Sequence, residues 1–196
     1  MNEQGKIEIY IDYLLTCYWN ENIQIDKDFA RQIARKAFGK KMLVFGLGYD
    51  SLFWLHATKG KTYFVEDDDD FILHDKNLLQ NIIPCNYFGT SVSKSLNFLD
   101  NETRSNSHYS LAPPIDLIKL APYDVILVDG PKGYSDDKEG RLHPIKWSSK
   151  LMSHKGSVYI DDAERELETK AVKKYFPDAR FLKTRRGNTI AIYSNE

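Results

Sequence analysis

Two short apolar runs, each stopped by a residue that cannot prolong it, constrain the fold of this chain most. Residues 41–45 run into Gly46-Leu47-Gly48, and residues 62–65 run into Glu66, about twenty positions beyond Gly46. A glycine closing a first strand permits a tight turn, and a second glycine removes the Cβ that would keep a ligand off the backbone. Ser51 stands where a dinucleotide fingerprint has its third glycine, and it is small enough for the next helix to pack closely. A carboxylate ending the second strand can accept hydrogen bonds from both hydroxyls of a ribose. Gly46, Gly48 and Glu66 are therefore candidate contacts of one nucleoside-bearing cofactor. Each motif alone also fits a blander role, an ordinary turn or a solvated acidic cap, which is the better reading of Asp69 and Asp70.

The remaining pattern supplies a frame. Ile7, Tyr10, Ile11, Leu14, Leu15 and Tyr18 recur at helical spacing and predict an amphipathic helix over 6–19. Asp26 or Asp28 is placed to cap a second helix carrying Phe29, Ile33, Ala37 and Phe38, which Gly39 ends. Residues 52–57 have helical apolar density, and 82–88 form a third candidate strand weakened by Pro84. Residues 100–114 are polar and rich in Ser, Asn and Pro, which predicts a surface loop. Residues 123–128 and 157–160 read as buried strands ending at Asp129 and at Asp161-Asp162. A helix over 164–176 stops at Pro177, and 180–182 with 189–193 form a closing hairpin around Gly187-Asn188. Apolar strands alternating with helices predict a mostly parallel sheet covered on both faces, with functional groups at the strands' carboxyl ends.

Composition narrows the partners. A chain of 196 residues fits one domain, here a helical segment over 1–38 followed by an α/β core over 39–196. The formal net charge is -1, so bulk charge draws the chain neither to nucleic acid nor to an anionic membrane. No apolar run nears the ~20 residues of a membrane span. Residues 1–6 are polar and lack the apolar core of a signal peptide, which predicts a soluble, cytoplasmic chain. Cys17 and Cys85 make neither a disulfide framework nor a metal knuckle and are expected to be reduced packing residues.

Two later strand ends carry the candidate chemistry. Asp129 opens Asp129-Gly130-Pro131-Lys132-Gly133-Tyr134, and Asp161-Asp162 closes the next strand. Asp129, Asp161 and Asp162 are hard oxygen donors that, brought together, suit one divalent ion able to bind an acceptor hydroxyl and lower its pKa. Lys132 is a candidate base if burial or a metal depresses its pKa, and Asp129 acting directly is the competing mechanism. His143, just after Arg141, is the one histidine placed near this rim. His56, His74, His108 and His154 read as solvated or packed, and Arg185 and Arg186 as a solvated turn. A glycine turn with a ribose carboxylate suits a nicotinamide dehydrogenase or an S-adenosylmethionine-dependent methyltransferase. The former would usually add a substrate domain, for which there is little room.

Taken together these motifs resemble a family. Residues 43–54, Leu-Val-Phe-Gly-Leu-Gly-Tyr-Asp-Ser-Leu-Phe-Trp, are similar to the LVFGLGHDSLMW signature of the glucuronoxylan O-methyltransferases of plants. Residues 62–68 resemble that family's TVFLEED. Residues 128–137 with Gly140-Arg141 resemble its VDAPTGYHDE followed by GR, and Asp162 and Arg165 match two residues of its C-terminal strand-end segment. The likeness covers roughly residues 33–193.

The resemblance implies a Rossmann-like class I methyltransferase fold, α/β with a mostly parallel sheet, helices on both faces and a C-terminal antiparallel hairpin. It implies S-adenosyl-L-methionine as donor and a sugar hydroxyl of a glycan or polysaccharide as acceptor, in that family the 4-hydroxyl of glucuronic acid on xylan. A divalent metal (magnesium, manganese or cobalt) is also implied. By position Gly46, Gly48, Asp50, Ser51, Glu66 and Asp67 would hold the cofactor, while Tyr134, Asp136, Arg141 and His143 would face the acceptor beside Asp129. Three departures matter: Tyr49, Lys132 and Asp161 stand where the family has histidine, threonine and histidine. The last two bring the chain nearer the metal-dependent catechol-type enzymes, which keeps a small-molecule acceptor open. A non-catalytic nucleotide- or glycan-binding module is the third reading.

Overall fold

The computed structural model describes residues 2–74, 78–101 and 111–195, the side chains at 73 and 74 excepted. His108, the His74 side chain and most of the loop expected over 100–114 lie outside the described residues.

Helix α1 (Glu3–Tyr18) begins where the Asn2 side chain accepts from the Gly5 backbone N–H. It buries Ile11, Leu14 and Leu15. Asp26, not Asp28, caps α2 (Lys27–Ala37) by accepting from the N–H groups of Asp28 and Phe29. Gly39 follows at φ +66°, a backbone that favours glycine, and turns the chain into β1 (Met42–Phe45).

Strands β1, β2 (Thr62–Glu66), β3 (Ile82–Pro84), β4 (Tyr123–Val128) and β5 (Met152–Ile160) pair in parallel. Strand β7 (Thr189–Ser194) runs antiparallel to β5 and to β6 (Arg180–Lys183). The order across the sheet is β3-β2-β1-β4-β5-β7-β6. Period-two alternation divides the strands between two cores. Met42, Val44, Val125 and Leu127 face the core built with α1, α2 and α3 (Ser51–Ala57). Leu43, Phe45, Ile126 and Val128 face the other, with α7 (Leu142–Leu151) and α8 (Glu166–Tyr175). The expected mostly parallel sheet, covered on both faces and finished by a hairpin, is thus present.

Four helices went unassigned from sequence: α4 (Asp69–His74), α5 (Val92–Asp100), α6 (Ile115–Leu120) and α7. In α7, Pro144 reads as a breaker. It stands in the first turn, where its missing N–H leaves no intrahelical bond unmade. The third strand, expected over 82–88, ends at Pro84. Cys85 is buried as expected, whereas Cys17 is exposed on α1, and both thiols are free. No described helix is long and apolar enough to cross a membrane.

The sheet reverses its winding between β1 and β4, and a doubly wound sheet opens a crevice outside the carboxyl ends of its strands at such a point. Gly46, Glu66, Asp129 and Asp161 follow or end those strands.

Candidate active site

Gly46 leaves β1 at φ +108°, and its Cα lies against the loop after β4. A Cβ built on Gly130 would stand 2.9 Å from the Gly46 Cα, so the two turns touch backbone to backbone. That contact narrows the floor of a cleft of about 630 Å³, a volume typical of small-molecule sites. Gly46, Gly48, Asp50, Glu66, Asp67, Asp129, Lys132, Tyr134, Arg141 and Asp162 all line it.

The glycine turn is saturated. The Gly46 N–H donates to the Val65 carbonyl, the Leu47 N–H to Glu66 Oε2 at 2.6 Å, and the Gly48 N–H to Ser51 Oγ at 2.9 Å. Ser51 is buried beneath the turn and does not line the cleft. Its part is to brace the loop, a correction to its expected cofactor contact. Glu66 Oε1 accepts from the N–H groups of Asp67 and Asp68. Three of the roughly four acceptor positions of the Glu66 carboxylate are thus taken, leaving one on Oε2 for a ribose hydroxyl. Burial pushes the Glu66 carboxyl up, and its three backbone donors oppose that rise. Asp50 Oδ2 accepts from Trp54 Nε1, and burial raises its pKa too.

Arg141 dominates the far wall. Its guanidinium donates from Nη1 to the Asp161 carbonyl and from Nη2 to the Asp129 carbonyl, each at 2.7 Å, and from Nε to the Pro131 carbonyl. Nη2 also lies 3.4 Å from Asp129 Oδ1 and 3.1 Å from Asp162 Oδ2. Only 6 % of its side chain is exposed, so it is a fixed part of the wall. Burial pushes the Asp129 carboxyl up to about 7, a rise that Arg141 opposes and Asp50 and Asp162 reinforce. Asp161 moves the same way for the same first reason, with repulsion from Asp129 next. Asp129 still shows 31 % of its side chain, toward the cleft.

The three carboxylates expected to hold a metal do come together, with Asp129 within hydrogen-bonding reach of Asp161, but they gather around Arg141 and form no metal cage. Asp161 Oδ1 accepts from Asn188 Nδ2 at 2.7 Å, and Asp161 does not line the cleft. Asp162, at φ +54°, gives Oδ2 to Arg141 and to Arg165. Among the described residues no group of three or more His, Cys, Asp or Glu side chains is placed to hold a metal ion. The carboxylates face guanidinium groups instead, so they do not fit a divalent cation as arranged.

Lys132 also departs from expectation. Its Nζ pairs with Asp68 Oδ2 at 3.1 Å, which holds the ammonium charged and raises its pKa instead of lowering it. His143 is turned inward by α7 onto Trp147, 2 % exposed and outside the cleft, and burial lowers its pKa to about 4. Asp136 is exposed and lines a smaller neighbouring groove with Ser135, Arg165 and Glu166. Tyr134 and Arg165 line both spaces.

Sequence reasoning missed one wall. Asn22, Ile23 and Gln24, between α1 and α2, line the cleft. They are held by Arg186, whose Nη1 donates to the carbonyls of Ile23 and Gln24 at 2.7 and 2.8 Å. The β6–β7 turn is therefore anchored where a solvated turn was expected, and Arg185 pairs with Asp28. No local signal near residue 22 points to a site.

Among known proteins, no family model matches the chain. It is 25% identical to glucuronoxylan 4-O-methyltransferase 1 of Arabidopsis thaliana, covering 79% of this chain and 62% of that one. To glucuronoxylan 4-O-methyltransferase 3 of the same plant it is 27% identical, over 83% and 62%. To arabinogalactan O-methyltransferase 2 it is 31% identical, over 64% and 51%. In sequence the chain is a relative of these glycan methyltransferases. It spans less than two thirds of their length. In fold it matches a methyltransferase from Pyrococcus furiosus (TM-score 0.52, 14% identity, 100% of this chain and 99% of that one). The 16S rRNA N2 G1207 methyltransferase of T. thermophilus matches at TM-score 0.56 and 12% identity, over 91% and 45%. The fold of this chain is that of the class I methyltransferases.

Proposed function

We propose that the chain is a single-domain S-adenosylmethionine-dependent O-methyltransferase acting on a sugar hydroxyl of a glycan. The observation that carries this reading is the charge of the cleft. Its lining holds eight carboxylates (Asp50, Glu66, Asp67, Asp68, Asp69, Asp129, Glu139, Asp162) against four cations (Lys132, Lys138, Arg141, Arg165). The amides of Leu47 and Gly48, which would cradle a pyrophosphate, are already bonded to Glu66 and Ser51. Such a cleft disfavours a dinucleotide and suits a ligand carrying an ammonium and a sulfonium.

When bound, S-adenosylmethionine supplies an electrophilic methyl group. Glu66 and Asp67 meet the ribose side of the cleft, and the Cα faces of Gly46 and Gly48 let the ligand lie against the turn. Asp129, at the end of β4, receives the proton of the acceptor hydroxyl; a carboxylate with a pKa near 7 is well matched to that task. The exposed ring of Tyr134 offers an apolar face to a sugar beside it. Holding donor and acceptor in line can contribute ~7–11 kcal/mol in favourable cases. The catechol-type alternative drew on Lys132 and Asp161, and these side chains are committed to Asp68 and Asn188.

Titration calorimetry with S-adenosylmethionine and, separately, with NADH tests the donor. Binding of the first and not the second is expected, and the reverse would restore the dehydrogenase. Donor consumption in the presence of glucuronoxylan oligosaccharides or a catechol then tests the acceptor.

A further inference from the structure

We propose that the Arg141 guanidinium is the resident cation of this site and stands in place of a divalent metal, so that methyl transfer here is metal-independent. This rests on the methyltransferase reading above and concerns the same cleft. A metal in such a site would neutralise the strand-end carboxylates and fix the loops that carry them. Arg141 does both. Its fork donates to the carbonyls of Asp129, Pro131 and Asp161, which locks the chain after β4 to the chain after β5. The same Nη2 lies against carboxylate oxygens of Asp129 and Asp162. Glu168, buried on α8, accepts from the Arg141 backbone N–H and holds the residue from behind.

The arrangement gives a small ion a competing partner at each carboxylate. Asp162 Oδ2 is shared by two guanidinium groups, and Asp161 is turned to Asn188. An ion entering between Asp129 and Asp162 would sit against Arg141, cation to cation, in a largely buried setting where like charges repel strongly. Arg141 is thus a positioning residue: it orients Asp129 and supplies the positive charge facing it, without touching the reacting atoms.

The decisive measurement is manganese binding to the protein followed by electron paramagnetic resonance, which needs no turnover. The intact protein is expected to leave added Mn²⁺ free at micromolar concentrations. Arg141→Ser, which empties the space between the carboxylates, is expected to capture it. Binding by the intact protein that Asp162→Asn abolishes would overturn the proposal. The second measurement uses only unaltered protein and survives any folding failure of the variant. Initial methyl-transfer rates in EDTA and after Mn²⁺, Mg²⁺ or Co²⁺ addition should agree within about twofold. An EDTA-silenced enzyme revived by one of these ions would also overturn it. Failure to bind S-adenosylmethionine would instead sink the methyltransferase reading, while the manganese result would still be readable.

Discussion

The Leu47 backbone N–H and the Glu66 carboxylate meet at 2.6 Å, so the turn after β1 and the end of β2 form one rigid corner. In Glu66→Gln the amide keeps one acceptor but turns its NH₂ toward backbone donors. An unsatisfied buried donor costs ~1–3 kcal/mol. The urea midpoint should fall accordingly, and S-adenosylmethionine affinity should drop at least about tenfold, since the corner and its ribose acceptor are lost together. Unchanged affinity by calorimetry would mean that the donor does not reach Glu66.

The Asp129 and Asp161 carboxyls share a buried wall, and both are pushed up to about 7. Each sits above its unfolded value near 4, so the folded chain holds more protons than the unfolded chain between about pH 4 and 7. Stability should therefore fall as pH rises through that window, and Asp161→Asn should flatten the profile. Activity should run the other way, rising toward an apparent pKa near 7 that belongs to the pair. Asp129→Asn should cut kcat by ~10²–10⁴ and leave cofactor binding in place. A pH–rate profile flat from 5 to 8 would remove Asp129 as the base.

What the sequence made legible follows from how each residue reaches the site. Gly46, Glu66 and Asp129 are delivered by the ends of strands whose apolar runs are visible in the chain, so their meeting was foreseeable. Arg141, His143 and Ser51 show the limit. Arg141 reaches the carboxylates because α7 starts beside the β4 loop, and His143, two residues on, is carried into the core by the helical turn. Sequence proximity put both at the acceptor, but side-chain direction depends on a helix that Pro144 disguised. The metal trio failed likewise: three carboxylates at two strand ends were visible, but not the cation already between two of them.

Gly130 is where β1 and β4 turns press together. In Gly130→Ala the new Cβ would meet the Gly46 Cα at 2.9 Å and the Gly46 N at 3.1 Å, both backbone atoms with little room to yield. Overpacking of this kind costs ~1–3 kcal/mol. The melting temperature should fall, and the cleft floor should shift enough to weaken S-adenosylmethionine binding. The resembling family carries alanine here, so a variant as stable as the parent would show that the Gly46 turn can retreat.

Arg186 tests whether the missed wall matters. Its two bonds to the carbonyls of Ile23 and Gln24 tie the β6–β7 turn to the segment between α1 and α2 that lines the cleft. Ile23 stays anchored by its own buried side chain in the core with α1, α2 and α3, and the Gln24 contact is exposed, so Arg186→Ala should unfold within a few degrees of the parent. Freed from that clamp, the exposed residues Asn22 and Gln24 on either side of Ile23 must be ordered by the ligand at each binding event, a cost on the order of 1 kcal/mol. The dissociation constant for S-adenosylmethionine should then rise roughly fivefold, with kcat at saturating donor little changed. Equal affinities in parent and variant, measured by calorimetry at low salt, would show that Asn22, Ile23 and Gln24 border the cleft without touching what binds there.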